Sequence, residues 1–468
     1  MPVPALLATW CSVLFLYGIA TGPLYRTESL RAIIGRECLH GHWLFPVLYG
    51  EPFLTKPPGH YVAIGLVSLP FGEVTAATSR LPSIIAATVA VFMIYGLFRR
   101  SLGERSALLA ALLLPTSVLW LDKVPSAEID MTLVGWVTAS LVLFHGALKP
   151  HEPPSVGFLV LSLLCVAGGT LTKWTAPAFF YLTVVPLLAW RGELRVLFGW
   201  RHLLAVGVAI GVCLLWAVAV AQQVGWESLI ETVRKEAAYR FAPKPGAKGY
   251  PWSEVGTYPL LVWAAHLPLS LFALRTFRPS FWHQWDDRGK LLLQLLHCWT
   301  WPSLLFWSLV PNHNIRYAIP MSPGLMGLGV MGLIGWWFRP TTPGEKREGK
   351  RFLWAFLAVW LVAKIAFVEI VIPLRTAHHN PEPIAAALSE FVPPDRPLYL
   401  FRLKDEGVMF YYARPAVRLT QLHDLPAGAF AVLIRQEWDE WAASGTLELV
   451  ASLHDQQGDP LILVRKVR

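Results

Sequence analysis

Apolar runs close to the 17 to 25 residues that a helix needs to cross a bilayer recur along most of this chain. They fall at Pro4–Thr21, Pro82–Phe98, Ser106–Leu121, Ile129–Ala147, Val156–Leu171, Thr175–Trp190, Leu203–Gln222, Thr257–Leu274, Leu291–Val310, Ile319–Phe338 and Phe352–Ile372. Inside lipid every backbone N–H and C=O must be satisfied within the segment, so such runs fold as helices. About eleven are expected. The fifth and sixth runs are short and separated only by Thr172, Lys173 and Trp174, so they read either as two spans or as one broken helix. A chain that is 54% hydrophobic and only 15% charged is not an ordinary soluble domain.

The cations orient the bundle. Arg99, Arg100 and Arg105 fall in one loop, Arg191, Arg195 and Arg201 in another, then Arg275, Arg278, Arg288 and Lys290, and finally Arg339, Lys346, Arg347, Lys350 and Arg351. These short basic loops belong to the cytoplasm. The net charge of +9 is largely this topological signal and not a nucleic-acid footprint. The remaining loops, residues 22–80 and 224–256 above all, then face outside. The first run has no Lys or Arg ahead of it and no small-x-small cleavage site, and reads as a retained span. Four of the five cysteines sit in spans and only Cys38 lies in an external loop, so no disulfide framework or zinc spacing is present.

After Pro373 the composition changes. PIAAALSEFV reads as an amphipathic helix, RPLYLFRL and AFAVLIRQ as strands, and LELVASLHD with DPLILVRKV as an alternating terminal pair. The expected architecture is therefore an all-α polytopic membrane domain over 1–373 and a small C-terminal α/β extracytoplasmic domain over 374–468. Lys404, Asp405 and Glu406 read as a solvated turn.

Both signs of charge meet on the external face. Glu28, Glu37, Glu51, Glu73, Asp122, Glu128, Asp130, Glu227, Glu231, Glu236 and Glu254 interleave with Arg26, Arg31, Arg36, Lys56, Arg80, Lys123, Lys173, Arg234, Lys235, Arg240, Lys244, Lys248, His313 and Arg316. Such a mixed site suits an acceptor hydroxyl that must lose a proton to a carboxylate while a phosphate held by Lys and Arg leaves with growing charge. In KPPGHY the prolines fix an extended approach to His60–Gly72, too short to span and read as an interfacial helix. Tyr61 and Phe71 would sit at headgroup depth, steering a lipid chain toward Lys56. His266, His297, Lys364 and Glu369 lie within spans. Lys364 and Glu369, five residues apart, do not share a helix face and are read as interfacial or bundle-facing and not as a proton relay.

The ordered motifs RTESLRA, RECLHGHW, YGEPFLTKPPGHY, RLP, EID, TKW, the long WESLIETVRKEAAYRF loop and PNHNIRYAIP resemble glycosyltransferases of the GT-C superfamily. The likeness is to protein O-mannosyltransferases of glycosyltransferase family 39 and to lipid A aminoarabinose transferases. It runs from about Tyr25 to Pro323. The resemblance implies a polyprenyl-phosphate-sugar donor, a protein, glycolipid or glycan acceptor, and one inverting displacement at the anomeric carbon on the extracytoplasmic face of a bacterial inner membrane. It also implies a catalytic Asp where this chain has Thr27, which cannot serve as a carboxylate base. Glu28 then takes over the role, or Asp130 or Glu128 does, or transfer is lost. The plain alternative for Glu28 is a surface pair with Arg26 or Arg31, and for Asp130 helix capping. Lys56, Arg240, Arg316 and Lys173 match donor-phosphate contacts, with Thr27, Tyr61 and His313 near the substrate. The family's metal-binding histidine is replaced by Ala237 beside Glu236, so no metal or other cofactor is expected. A carrier or flippase of lipid-linked sugars is the rival reading, but it predicts matching halves with broken helices, and no internal repeat is present.

Overall fold

The computed structural model describes residues 2–24, 27–148, 152–242, 249–337, 343–403, 405–455 and 458–467. Arg26, Lys244, Lys248, Arg339 and Lys404, included in the readings above, lie outside the described residues. The chain forms two compact units, one of residues 1–17, 54–60 and 81–365 and the other of 18–53, 61–80 and 366–468. The sequence reading divides the chain at residue 373. In space the first external loop joins the C-terminal tail instead.

Every apolar run in the first unit is helical. The main helices are Val3–Leu16, Ala76–Leu102, Ile129–Ala147, Val156–Thr170, Ala176–Trp190, Trp200–Val224, Trp252–Ala265, Asp287–Leu309 and Ser322–Trp337, with Pro343–Ala366 ending the unit. Among the described residues five helices are long and apolar enough to cross a membrane, and the bent pair Trp252–Ala265 and Leu269–Phe277 makes a sixth if counted as one span. The others of the expected eleven are shorter or more polar than that test requires. The third run is broken: Glu104–Leu113 stops, and Ser117 Oγ accepts from Trp120 N to cap a new turn over Val118–Lys123. Pro115 explains the stop: Leu114 is still helical and bonds Ala110 O, but the proline has no N–H with which to extend the ladder. The fifth and sixth runs are two helices that end and restart around Lys173.

Burial grades these helices. The window of Ile315–Gly335 is 94% buried and forms the centre, whereas that of Trp200–Val224 is 17% buried and presents its apolar side chains outward as a lipid-facing helix does. In the core Phe144 meets Phe180 edge to face at 5.6 Å, and Phe179 stacks on Trp307 at 5.5 Å. Gly329 and Gly332 let the short helix Leu269–Ala273 press backbone to backbone against the central helix. A Cβ at either would fall 2.4 Å from Leu269 O or 2.0 Å from Phe272 O. His266, met in the sequence as an intramembrane ionisable residue, bonds Val262 O and Ser322 Oγ at 2.7 and 2.6 Å and ties two helices together. His297 accepts from Trp301 Nε1 at 2.7 Å beneath the Trp282 ring.

The second unit packs helix Thr27–Leu39 and the strands β1 (Val47–Leu48) and β2 (Glu51–Pro52) with the tail. The tail holds the expected strands β3 (Leu398–Leu400), β5 (Phe430–Ile434), β6 (Leu447–His454) and β7 (Pro460–Lys466). It adds a short β4 (Ala416–Arg418) that the sequence did not announce. The sheet order is β4-β3-β5-β7-β6, parallel across β4-β3-β5 and antiparallel across β5-β7-β6. Leu24, Ala32 and Ile34 of the first loop share one buried cluster with Leu388, Leu398, Val432 and Leu463. Asp405 is not part of a solvated turn but caps helix Glu406–Tyr412, accepting from Val408 N at 3.1 Å.

Candidate functional site

Three separate segments of the first unit bring charges to the amino-terminal end of helix Ile129–Ala147. Glu128 is its N-cap residue and Asp130 lies in its first turn, where the helix dipole favours carboxylates. The break between Val156–Thr170 and Ala176–Trp190 supplies Lys173, whose Nζ sits 2.5 Å from Asp130 Oδ1 with both side chains buried. The turn Ile315–Met321 supplies Arg316, with Nη1 2.9 Å from Glu128 Oε2 and Nε 3.8 Å from Asp130 Oδ2. Lys123 closes the set at 3.3 Å from Glu128 Oε1 and 3.1 Å from Asp122.

Tyr317 stands at the centre. Its ring lies 4.6 Å from Lys173 Nζ, 4.6 Å from the Arg240 guanidinium carbon and 6.0 Å from that of Arg316, an arrangement that holds cations without neutralising them. Arg240 comes from helix Trp226–Phe241. Four residues earlier on the same helix, and hence on the same face, Glu236 pairs with Lys56. Sequence reasoning missed Tyr317, since an aromatic at a membrane edge ordinarily reads as an interfacial anchor. Its position directly after Arg316 was the one available signal.

Two donors in this cluster are orphaned. Arg240 Nη1 and Arg316 Nε are buried and have no hydrogen-bond partner among the described residues. A buried charged N–H without an acceptor is costly, so the cluster is built to receive further negative charge. Burial pushes the Lys173 ammonium down to about 8 against the pull of Asp130, with Arg240 and Arg316 adding to the depression. Lys123 is half-buried, which lowers its pKa, but Glu128 and Asp122 outweigh that and raise it.

The KPPGH segment is clamped to this cluster. Gly59 N donates to Leu171 O at 2.7 Å, and His60 bonds Thr132 Oγ1 and Ala127 O at 2.8 and 3.2 Å. The glycine is required by contact: a Cβ there would lie 2.6 Å from Thr172 Oγ1 and 2.8 Å from Leu171 O. Gly59→Ala is therefore expected to destabilise the protein by about 1–3 kcal/mol, as overpacking does, and to shift Lys56. Thermal unfolding with donor affinity measured on the same sample checks this, and an unchanged melting temperature would overturn it.

Other sequence candidates take different places. His313 Nδ1 bonds Val310 O and its ring packs edge to face on Tyr258 at 4.4 Å, with Glu254 4.0 Å away. Thr27, Glu28 and Tyr61 belong to the second unit. Thr27 opens helix Thr27–Leu39. Glu28 is in a buried pair with Arg80, not a surface pair with Arg31: Arg80 Nε and Nη2 lie 3.1 and 3.4 Å from its two oxygens. Arg80 also donates to Ile19 O, Thr21 O and Pro23 O at 2.7, 3.2 and 3.2 Å. Helix Gly59–Ser68 forms as expected and Phe71 beyond it is exposed, but Tyr61 is buried and bonded to Arg31 rather than lying at headgroup depth. Among the described residues no three His, Cys, Asp or Glu side chains gather as a metal-ligand set.

An apolar groove of about 640 Å³ runs between helices Val156–Thr170, Ala176–Trp190, Trp200–Val224 and Trp226–Phe241. Trp174, next to Lys173, and Ala237, next to Glu236, line it together with Leu163, Cys213, Trp216 and Ile230.

The family described as dolichyl-phosphate-mannose-protein mannosyltransferase matches residues 55–220. The undecaprenyl phosphate-alpha-4-amino-4-deoxy-L-arabinose arabinosyl transferase of Pseudomonas aeruginosa strain UCBPP-PA14 is 31% identical over 293 residues, 60% of this chain and 50% of that protein. The protein of the same name from Erwinia tasmaniensis is 25% identical over 387 residues, covering 80% and 66%. The chain thus spans about half the length of the first of these relatives in sequence. The crystal structure of ArnT from Cupriavidus metallidurans bound to undecaprenyl phosphate superposes with a TM-score of 0.77 at 18% identity, covering 98% of this chain and 97% of that one. The Archaeoglobus fulgidus oligosaccharyltransferase follows with a TM-score of 0.52 at 12% identity, covering 90% and 62%. These two likenesses carry the fold alone, shared along nearly the whole chain with the first of them.

Proposed function

We infer that this chain is a GT-C membrane glycosyltransferase that moves a sugar from a polyprenyl-phosphate donor to an acceptor hydroxyl at the outer face of an inner membrane. The observation that carries the reading is the pair of orphaned, buried guanidinium donors, Arg240 Nη1 and Arg316 Nε, around Tyr317. A donor phosphate would satisfy both, with Lys173 beneath it and Lys56 presented by Glu236 at its side. The apolar groove beginning at Trp174 suits the prenyl chain, in place of the route over His60–Gly72 that the sequence suggested.

The reaction breaks the bond between the anomeric carbon and a phosphate oxygen as the acceptor oxygen attacks from the opposite face, inverting the centre. Asp130 is the proposed base. Lys173 occupies its Oδ1, while Oδ2 stays beyond hydrogen-bond distance of Arg316 and would be the oxygen that takes the hydroxyl proton. Glu28, first in line from sequence, has both oxygens engaged by Arg80. Its proposed role is to hold the start of helix Thr27–Leu39 in place. The leaving polyprenyl phosphate gains a negative charge in the step, and the cations stabilise that charge where it develops. The arabinosyl transferase relatives favour an amino sugar donor, and the sequence resemblance to lipid A aminoarabinose transferases favours a glycolipid acceptor.

Two measurements test this. Purified protein given an undecaprenyl-phosphate-linked amino sugar and a lipid A-type acceptor is expected to release undecaprenyl phosphate in step with glycosylated acceptor. Donor binding without any product would favour the carrier reading. Donor affinity is also expected to be flat below pH 8 and to fall about tenfold per unit above it. The diester donor holds one fixed charge, so titration in this window belongs to the protein, and Lys173 loses its proton near 8 in the free site. Isothermal titration across pH 6.5–9.5 reads the slope. A Lys173→Gln variant should flatten it, and a wild-type curve without the break would remove Lys173 from the phosphate.

A further inference from the structure

A second charged cavity, of about 730 Å³, lies at the other end of the same bundle. Its lining comes from four helix ends: Arg100 and Ser101 in the last turn of Ala76–Leu102, His145 and Gly146 in the last turn of Ile129–Ala147, Arg191 after Ala176–Trp190, and Arg288 with Lys290 at the start of Asp287–Leu309. Asp130 is in the first turn of helix Ile129–Ala147 and His145 in its last. Fifteen residues at 1.5 Å each separate the two sites by roughly 22 Å along the axis, most of the thickness of a bilayer core.

The lining is unbalanced in charge. Glu193 is taken by Arg191, at 3.1 and 2.7 Å, and Asp287 stands 4.0 Å from Lys290. Arg100 and Arg288 have no carboxylate partner among the described residues, which leaves two positive charges in excess. His145 Nε2 is buried with no hydrogen-bond partner among those residues. Cations at helix C-termini are common, since they complement the dipole. A cavity that gathers two unpaired guanidinium groups and an orphaned imidazole nitrogen is more than that complement needs. Its volume falls in the range of ligand pockets, roughly 300–1,000 Å³.

We propose that this cavity binds a phosphate group, that of an anionic phospholipid headgroup in the leaflet opposite the transfer site. Arg100 and Arg288 clamp the phosphate oxygens and His145 completes the shell, while Leu148 and Leu291 line the side toward the acyl chains. Basic pockets between transmembrane helices on the cytoplasmic side suit such headgroups, and the basic loops assign this end to that side.

The test uses the full chain in detergent after extensive delipidation, reloaded with phosphatidylglycerol or phosphatidylcholine and read by native mass spectrometry. Retention of phosphatidylglycerol over phosphatidylcholine is expected. In Arg100→Gln/Arg288→Gln that retention should weaken at least tenfold, about what one lost charge-assisted contact is worth. Glu193→Gln, which frees Arg191, should tighten it. Opposite responses from these variants separate binding from misfolding, and donor turnover at the other end serves as the fold control. Inorganic phosphate that displaces the lipid at millimolar concentration would assign the site to the phosphate alone. Failure to displace it would assign the whole headgroup. Equal retention of both lipids, or retention unchanged in both variants, overturns the proposal.

Discussion

Arg316→Ala is expected to lower transfer from a polyprenyl-phosphate sugar by about two to three orders of magnitude, the usual cost of removing one preorganised donor from developing charge. Arg316 touches both carboxylates of the site, 2.9 Å from Glu128 and 3.8 Å from Asp130, and keeps one N–H unspent. Its removal therefore strips the phosphate of a contact and leaves two buried carboxylates facing each other with less positive charge between them. Arg316→Lys should recover little, because an ammonium restores the charge but not the fork that reaches Glu128 and the phosphate together. Single-turnover rates with saturating donor measure this. A loss confined to KM, with the rate constant unchanged, would mean that Arg316 only binds the ground state.

Glu28→Ala is expected to destabilise the second unit by about 3–5 kcal/mol, the penalty for stranding one partner of a buried ion pair. Sequence alone offered Glu28 as a candidate catalytic base. The reason for the stability cost is Arg80, which would be left buried with only the carbonyls of Ile19, Thr21 and Pro23 to hold it. Glu28→Gln, which keeps a hydrogen-bond acceptor for Arg80, should lose less stability. If Glu28→Ala unfolds at the wild-type temperature yet has no activity, Glu28 is the base after all and Asp130 is not.

The helices of the bundle were legible because lipid leaves the backbone no alternative, and the strands β3, β5, β6 and β7 because each carries an alternating or continuous apolar run. β4 was not: it is three residues long, follows Pro415, and takes its register from β3, a strand it does not adjoin in sequence. In the site, residues with a sign were found and their partners were not. Asp130, Glu128, Lys56, Arg240, Arg316 and Lys173 all stood out as charges beside apolar runs. That Lys173 pairs with Asp130, Lys56 with Glu236 and Arg80 with Glu28 depends on how distant segments cross, which a local pattern does not encode. Tyr317 was missed for the same reason, since its role comes from the three cations that surround it.

The shared cluster that joins Leu24, Ala32 and Ile34 to Leu388, Leu398, Val432 and Leu463 also sets a schedule for biogenesis. About three hundred residues separate Arg80 from Glu382, and at typical ribosomal speeds of 5–20 residues per second they take roughly 15–60 s to make. Throughout that interval the first loop has emerged with its greasy side uncovered, and Arg80 can already meet Glu28 while the sheet that completes the shared cluster is still unmade. The nascent protein must be shielded during that wait, and truncation of the tail would make the wait permanent.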